Sequence, residues 1–523
     1  MRQSEAVSVF IFKAFNAKGF GSCQNAFFFL SDTPWSDICL IFIFITLFTG
    51  CKAVGPDYKP PDLFPEESWH APMQKGLAQA PVAPEQLAQW WTVLDDPVLT
   101  ELISRAVQNN LDVKLALERI RQYRLLKGIE EADRLPTVNA SGGASWTGTS
   151  NEDGTGTTTK SYSAGLDASW EIDLFGRIQR AIEAADATLS AKQEALRDAL
   201  VSLVADLADS YINVRTTQIR LNVVRQSIDS QAESFQLTQW QNQAGLTDEL
   251  DIHQARYSLE NAKAQIPALE STLSDAMNRV AVLSGLAPGT LKEKLASPRP
   301  LPALPATIAV GLPADTLRRR PDIREAEYEL VAQTAQVGVA TADLYPKLTL
   351  SGSIGVDTLS PAALIDNTLD PSHWARSLAA SLSQTLFDAG SIRKNIEVQN
   401  SLQKQALIQY ETAILSALEE VENSLVAYTK EQIRLEHLTV AAQQAVIAED
   451  LAKKKYESGL IDFTTVLTSQ QTVLSYESDL ATSQGSCVSN LITLYKVLGG
   501  GWTPIASAAP KGGQNKSQIE STP

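Results

Sequence analysis

The chain has little of the material from which catalytic and metal sites are built. Its 523 residues include only four histidines, four cysteines and three methionines. No histidine lies in a zinc-binding spacing or in a His-Glu-x-x-His motif, and neither a Walker A loop nor a Rossmann glycine pattern is present. The sequence therefore predicts no catalytic residue, no metal site and no cofactor, and we do not expect an enzyme.

Basic clusters are scarce as well. The formal net charge is −16 and the sequence pI about 4.9, with acidic and basic residues interspersed. This distribution lacks the basic patch of a nucleic-acid-binding protein, so we expect no nucleic-acid partner. The one basic run, Arg318-Arg319-Arg320, precedes a good helix start at Pro321 and is interpreted as a solvated turn.

Long apolar runs are missing from the chain. The longest is Ile38–Thr49, twelve residues, which is too short for an ordinary transmembrane helix but has the length of the apolar core of a signal peptide. Cys51 follows it closely, and the segment resembles a bacterial lipoprotein signal. We therefore predict that residues 1–50 are removed and that Cys51 is lipidated. Cys487 would then be the only other mature cysteine, which excludes a disulfide framework.

Glycine and proline are absent from two stretches of 68 residues each, Arg177–Ala244 and Ser391–Ser458. A helix of that length measures roughly 100 Å at 1.5 Å per residue. Apolar residues in both stretches recur at spacings of three and four, which predicts coiled-coil packing. Helical patterns return over Thr247–Leu283 and Ile461–Leu498, so each stretch is predicted to form a long antiparallel hairpin.

The two hairpins belong to an internal duplication. Gly245-Leu246-Thr247-Asp248 and Gly459-Leu460-Ile461-Asp462 lie at an offset of 214 residues, and matching positions continue upstream at offsets of 210 to 214. A period this long indicates one duplicated structural unit and not a solenoid of short repeats.

Strand-like patterns precede each of the two 68-residue stretches, which we call the rods. Residues alternate between apolar and polar over Lys160–Leu174, and Thr137–Ser150, Lys347–Val356 and Ala375–Phe387 complete a predicted set of four strands. Strands of this length can cross a bilayer when tilted, but only a closed barrel satisfies their backbone there. Four strands cannot enclose a wide lumen, so several copies must contribute; the alternative is a small soluble β-domain.

These features together resemble the TolC-like outer-membrane efflux factors, in particular the lipoprotein branch that serves resistance–nodulation–division pumps. The resemblance covers Cys51 to Trp502 and is most specific in CKAVGPDYKPP, SWEIDLFGRI, GLPADTLRRRPDIREAE and LYKVLGGGW. It implies a mainly α-helical chain with a membrane β-barrel: a homotrimer with twelve strands and an α-helical periplasmic tunnel. It also implies three further partners, namely a periplasmic membrane-fusion adaptor, an inner-membrane pump and outer-membrane lipid.

The predicted organisation follows from the repeat and the resemblance. It comprises a signal peptide (1–50), an extended N-terminal strap without its own core (51–95), a first repeat (96–297), a Pro-rich connector (298–310), a second repeat (311–502) and a disordered tail (503–523).

The resemblance also assigns roles to the tips and to a gate. The adaptor-contact tips are Gly245, Leu246, Thr247, Asp248, Gly459, Leu460, Ile461 and Asp462. The periplasmic gate is assigned to Tyr456, Thr468 and Gln471, but residues 468–471 carry no charge where related proteins have an acidic and a basic residue. We therefore expect closure by packing and neutral hydrogen bonds and not by rings of charge.

Three other functions remain open at this point. An exit duct for a type I protein secretion system needs the same tunnel, and a structural coiled-coil lipoprotein needs no pore. A metal-efflux version is disfavoured because the mature chain has only Met73 and Met277 for soft metals. Small-molecule efflux through the outer membrane is the favoured function.

Overall fold

The computed structural model describes residues 53–61, 68–80, 87–150, 152, 154 and 156–502. The signal peptide, the lipidation site Cys51 and the tail 503–523 lie outside these described residues. Every structural statement below concerns the described ranges.

The first repeat contains two short helices, two strands and one long hairpin. Its helices α1 (Pro97–Asn109) and α2 (Leu111–Ala132) lead into strands β2 (Thr137–Ser150) and β3 (Gly156–Ile172). A break separates α1 from α2 because Asn110 leaves the helical conformation and its side chain caps α2. The hairpin follows as α3 (Arg177–Gln243) and α4 (Glu249–Leu283).

The second repeat has the same order. Helices α6 (Pro313–Arg319) and α7 (Pro321–Ala342) precede β5 (Lys347–Thr358), α8 (Pro361–Leu369) and β6 (Ala375–Ser383), and the hairpin is α9 (Ser391–Glu457) and α10 (Phe463–Val497). A short helix α5 (Lys292–Ala296) lies between the repeats. Both rods contain 67 residues and both return helices 35, which confirms the duplicated long hairpins. Helix α8 was not predicted, and β6 ends four residues earlier than expected.

The four long strands form one antiparallel sheet in the order β2-β3-β5-β6. Paired residues of neighbouring strands point to the same side, so the register defines two faces. The apolar face carries, among others, Leu166, Trp170, Leu350, Ile354, Val356 and Leu378. The polar face carries Ser163, Asp167, Ser351, Ser353, Ser377 and Ser381.

The N-terminal strap, predicted as an extended segment without its own core, contributes side chains to the main core. A short strand β1 (Leu77–Ala78) pairs in parallel with β4 (Ile308–Ala309) from the connector. Trp90 is fully buried and stacks on Tyr495 with 5.4 Å between ring centroids. Trp90 begins a short 3-10 helix, Trp90–Leu94, and its large ring buries enough area to hold this part of the strap against the long helices.

The first described residues of the strap are clamped against the start of α3. The N–H of Val54 donates to the carbonyl of Phe175 at 3.1 Å, and the buried Arg180 donates to the Val54 carbonyl at 3.1 Å. Arg180 also pairs with Asp57 at 2.6 Å and with Glu183 at 2.7 Å. The strap is therefore tied to the β3–α3 junction three residues after Cys51.

Arg320 departs from the sequence expectation, whereas Pro267 lies inside a helix that the sequence predicts. Arg320, interpreted as solvated, is buried and bonds to Asp322, Glu420 and the Val497 carbonyl, because two carboxylates compensate its charge there. Pro267 lies inside α4 without ending it, since it is on the exposed side, where water can satisfy the freed carbonyl.

Helix α10 approaches α3 closely at Gly485. A Cβ atom placed on Gly485 would lie far inside van der Waals contact with the hydroxyl of Thr216. The absence of a side chain at this position is what lets the second hairpin pack against the first rod. No helix in the described ranges combines the length and apolar character needed to cross a membrane.

Candidate functional site at the helical tips

Both long hairpins turn through a glycine with positive φ. The φ angle is +73° at Gly245 and +70° at Gly459. The N–H of Gly245 donates to the Asn242 carbonyl at 2.8 Å, and the N–H of Leu246 reaches the carbonyl five residues back, also at 2.8 Å. This pair of bonds is a Schellman motif, and it recurs at the second tip. The Asn242 side chain closes the first turn by donating to the Thr247 carbonyl at 2.9 Å.

The tips expose apolar groups next to acidic ones. Leu246 is 75% exposed and Leu460 72%. Asp248 and Asp462 occupy the N-cap positions of α4 and α10. Burial raises the pKa of the nearby Asp251, and the charges of Asp248 and Asp462 act in the same direction. The two tips therefore form one surface with two exposed leucines and three neighbouring carboxylates.

Tyr456 packs between the two hairpins just above the tips. Its ring is buried and lies 5.4 Å from the ring of Phe463, between centroids. Ala255 of α4 belongs to the same cluster, and Ile461 packs against it. Burial raises the pKa of the Tyr456 hydroxyl, with the Asp251 carboxylate as a further cause. Tyr456 thus joins α4, α9 and α10 within one chain.

The other two predicted gate residues lie elsewhere. Thr468 and Gln471 are both exposed, and the Thr468 hydroxyl donates to the Thr464 carbonyl of its own helix at 2.7 Å. Thr468 lines a groove of about 420 Å³ between α9 and α10, whose walls are mostly threonine, serine and alanine. The structure therefore does not bring Tyr456, Thr468 and Gln471 together in a single chain.

Gln470, which lies between Thr468 and Gln471 in the sequence, is the residue that bonds from one hairpin to the other. It is only 3% exposed. Its Nε2 atom donates to the Ser234 hydroxyl at 2.8 Å, to the Ser230 hydroxyl at 3.1 Å and to the Ser230 carbonyl at 3.2 Å. An amide NH₂ has two hydrogens, so one of them is shared between the two Ser230 acceptors. Gln470 thus ties α10 directly to α3.

An ion pair completes this connection. Lys453 and Glu449 of α9 pair at 3.0 Å, the Ser230 hydroxyl donates to Glu449 at 2.7 Å, and Lys453 donates to the same hydroxyl. Glu477 faces Glu449 from α10, and burial together with the Glu449 charge raises the pKa of its carboxyl. We call Ser230, Ser234, Glu449, Lys453 and Gln470 the polar latch. It links α3, α9 and α10.

Sequence reasoning missed Gln470 although a signal was present. Counting from Phe463, the buried positions of α10 are Val466, Leu467, Gln470 and Val473, at the spacings of three and four that mark a packed seam. A glutamine in such a seam must find partners, because an unpaired buried amide is costly. The seam therefore identifies Gln470, and not Gln471, as the residue facing the first hairpin.

The described part of the chain contains no group of three or more His, Cys, Asp or Glu side chains arranged to hold a metal ion. The polar groups near the tips instead bond to one another between helices. These bonds hold packed helices together.

Comparisons with known proteins agree with this architecture. The family model for "Outer membrane efflux protein" matches residues 102–286 and 312–500. The chain is 31% identical over 469 residues to nodulation protein T of Rhizobium leguminosarum bv. trifolii, covering 89% of this chain and 97% of that protein. It is 32% identical over 470 residues to the solvent efflux pump outer membrane protein SrpC of Pseudomonas putida, covering 87% and 96%.

A solved structure gives the same result. The outer-membrane channel OprN superimposes with a TM-score of 0.81 at 35% identity, covering 86% of this chain and all of that one. The repeats, the paired rods and the sheet are therefore shared with a known outer-membrane channel. The chain belongs to the outer membrane efflux protein family.

Proposed function

We propose that this chain is the channel subunit of a tripartite efflux system and passes small molecules from an adaptor and pump across the periplasm and outer membrane. The observation that carries the proposal is the sheet with one apolar and one polar face, whose strands lead into helices of about 100 Å. Such a chain supplies a wall that is apolar toward lipid and polar toward a lumen, extended by helices that can span an aqueous space.

We propose a homotrimer with a twelve-stranded barrel, because the edges that one chain leaves open require further copies and the family resemblance implies three of them. Strands β2 and β6 each have an unpaired edge in the single chain. Backbone groups cannot remain unpaired in a bilayer, so these edges need strands from further copies. Helices α2 and α9 also leave large apolar side chains exposed, including Leu125, Ile129, Ile408 and Leu415. Neighbouring chains would cover them.

The tips and the latch suggest how the tunnel is gated. Leu246 and Leu460 offer apolar contacts to a periplasmic adaptor at the helical tips. Tyr456 and the polar latch hold the second hairpin against the first, which fixes the resting position of α9 and α10. Thr468 and Gln471 face outward and are available to a neighbouring chain in the closed trimer. Adaptor binding would then separate the hairpins and open the tunnel.

The anchor and the organisation of the chain complete the proposal. Cys51 carries the lipid, and residues 51–95 form the strap that leads from it. The channel itself is built from the repeats 96–297 and 311–502, joined by the connector 298–310.

Two measurements on the detergent-purified full-length protein test the function. Native mass spectrometry should give three chains per particle, and reconstitution in planar bilayers should give channels. A stable monomer without conductance under any gating condition would support a structural lipoprotein instead. In cells that lack their own channel, restored resistance to organic solvents without restored protein export would distinguish small-molecule efflux from a type I secretion duct.

A further inference from the structure

The loop between β5 and β6 contains a helix that is not needed to connect the two strands. The first strand pair, β2 and β3, is closed by residues 151–155 alone. The second pair takes residues 359–374 and includes α8, Pro361–Leu369. Two to five residues suffice to close a hairpin, so α8 requires another explanation.

Helix α8 packs on the apolar face of the sheet. Val356 and Thr358 are the only buried residues of β5, and both belong to the same row as Leu350 and Ile354. Helix α8 contacts both β3 and β5, and the Thr358 hydroxyl donates to the Ser360 carbonyl at 2.9 Å, immediately before the helix begins. The helix therefore covers the side of the sheet that faces lipid in the proposed barrel, not the side that faces the lumen.

The helix has an apolar side that points away from the sheet. Ala363, Leu364 and Asn367 are half-buried and lie toward the strands. On the opposite side, Ile365 is 66% exposed and Leu369 80%. At 100° per residue these two positions lie about 40° apart on one side of the helix. Large apolar side chains exposed together on the side that faces away from the sheet are not expected of a loop surrounded by water.

Acidic, basic and aromatic side chains near α8 indicate the level at which the helix lies relative to the membrane. Asp366 is exposed on a flank between the sheet-facing side and the exposed apolar side, and Asp370, also exposed, directly follows the helix. The Trp374 indole N–H donates to the Thr368 carbonyl at 3.3 Å, at the end of the helix. Lys160 lies over the ring of Trp146 at 5.8 Å from the centroid, in the same region of the sheet. Aromatic and basic residues of this kind mark the level at which a barrel leaves the hydrocarbon layer.

The height of the apolar face is consistent with α8 lying where the barrel leaves the hydrocarbon layer. From Leu348 to Thr358 the row climbs ten residues, which corresponds to about 25 Å for a strand tilted by about 40°. This equals the apolar band of an outer-membrane barrel, about 25 Å. Helix α8 lies at its far end from the rods, because β6 and then α9 follow from the other end.

We infer that α8 is an interfacial helix that lies on the outer perimeter of the barrel and inserts Ile365 and Leu369 among the acyl chains of the outer leaflet. The inference rests on the proposed function, since it requires the apolar face of the sheet to face lipid. The partner is a lipid surface, because the exposed side continues the apolar face of the sheet. Helix α8 would then fix the barrel at its extracellular end, opposite the lipidated Cys51.

Single cysteines carrying an environment-sensitive fluorophore test this directly. The full-length protein with Ile365→Cys or Leu369→Cys is labelled and reconstituted in phosphatidylcholine vesicles with brominated acyl chains, which quench only fluorophores in contact with lipid. Cys487 is buried, so the labelled parent protein measures the background. Asp366→Cys is the matched control on the same helix, Leu166→Cys marks the apolar face of the sheet, and Leu246→Cys marks a tip outside the membrane.

We expect quenching at Ile365 and Leu369 equal to that at Leu166 and several-fold stronger than at Asp366, with none at Leu246. Strong quenching at Leu166 without quenching at Ile365 and Leu369 would overturn the inference while leaving the proposed barrel intact. Shielding of both helix positions from lipid and from aqueous iodide would assign the surface to a neighbouring chain and also overturn it. A lack of quenching at Leu166 would refute the proposed barrel itself, and the inference with it.

Discussion

Replacing Gln470 with alanine should weaken the closed state of the tunnel. The change removes two amide hydrogens that bond to Ser230 and Ser234 across the hairpins and leaves a buried acceptor at Ser234 and half-buried acceptors at Ser230. At about 1 kcal/mol net for each hydrogen bond, the loss is about 2 kcal/mol per chain. If these bonds exist only while the hairpins are together, the closed-to-open equilibrium shifts by about 30-fold for each chain.

Gln471→Ala is the matched control for this experiment. It removes the same side chain one residue further along α10, from an exposed position outside the latch. The fraction of time that each reconstituted variant conducts in planar bilayers is compared with that of the parent protein, after thermal melting has shown that both are folded. Gln470→Ala should open the channel and Gln471→Ala should not.

The reverse result would refute the reasoning. If Gln471→Ala opens the channel and Gln470→Ala does not change the fraction of time that it conducts, closure depends on contacts between chains and not on the latch. A double-mutant cycle with Ser230→Ala sharpens the comparison, because two residues in direct contact should show a coupling energy of about 0.5–3 kcal/mol. Additive effects would mean that the two side chains do not interact in the closed channel.

Three further outcomes are expected. Tyr456→Ala should also raise the conductance of the closed channel, because it removes a buried ring packed on α10; unchanged conductance would place the closure elsewhere. Gly485→Ala should lower the melting temperature by the equivalent of about 1–3 kcal/mol, because its Cβ would overlap Thr216. Gly128→Ala, where a Cβ meets open space, should not lower it; equal melting of both variants would contradict the close approach of α10. Cys51→Ser should abolish metabolic labelling by palmitate, and labelling that persists would show that the lipid is attached at another residue.

The long hairpins and the strands could be predicted because their signals are local. The two stretches without glycine or proline became α3 and α9 to within one residue at their ends, and Gly245 and Gly459 gave the turns. A helix-ending glycine and a period-two pattern can both be recognised from neighbouring residues alone.

The strap shows where local signals fail. Its prolines and polar residues predicted an extended segment without its own core, but they could not show that Trp90 is fully buried against Tyr495 from the other end of the chain. The same holds for Arg320, whose burial depends on Glu420 of another helix. Neither partner is close in sequence, so no local pattern could reveal the contact.

What the sequence determined by itself was the set of long elements, their duplication and the family they resemble. What only the tertiary structure decided was which side of each element is covered. Adjacent residues of a helix point about 100° apart, so a partner helix on one side buries Gln470 and leaves Gln471 in solvent. The position of α8 on the apolar face of the sheet was decided in the same way, by the strands β3 and β5 that lie beneath it. Periodicity reports that a side chain repeats along one face, whereas burial depends on what packs against that face.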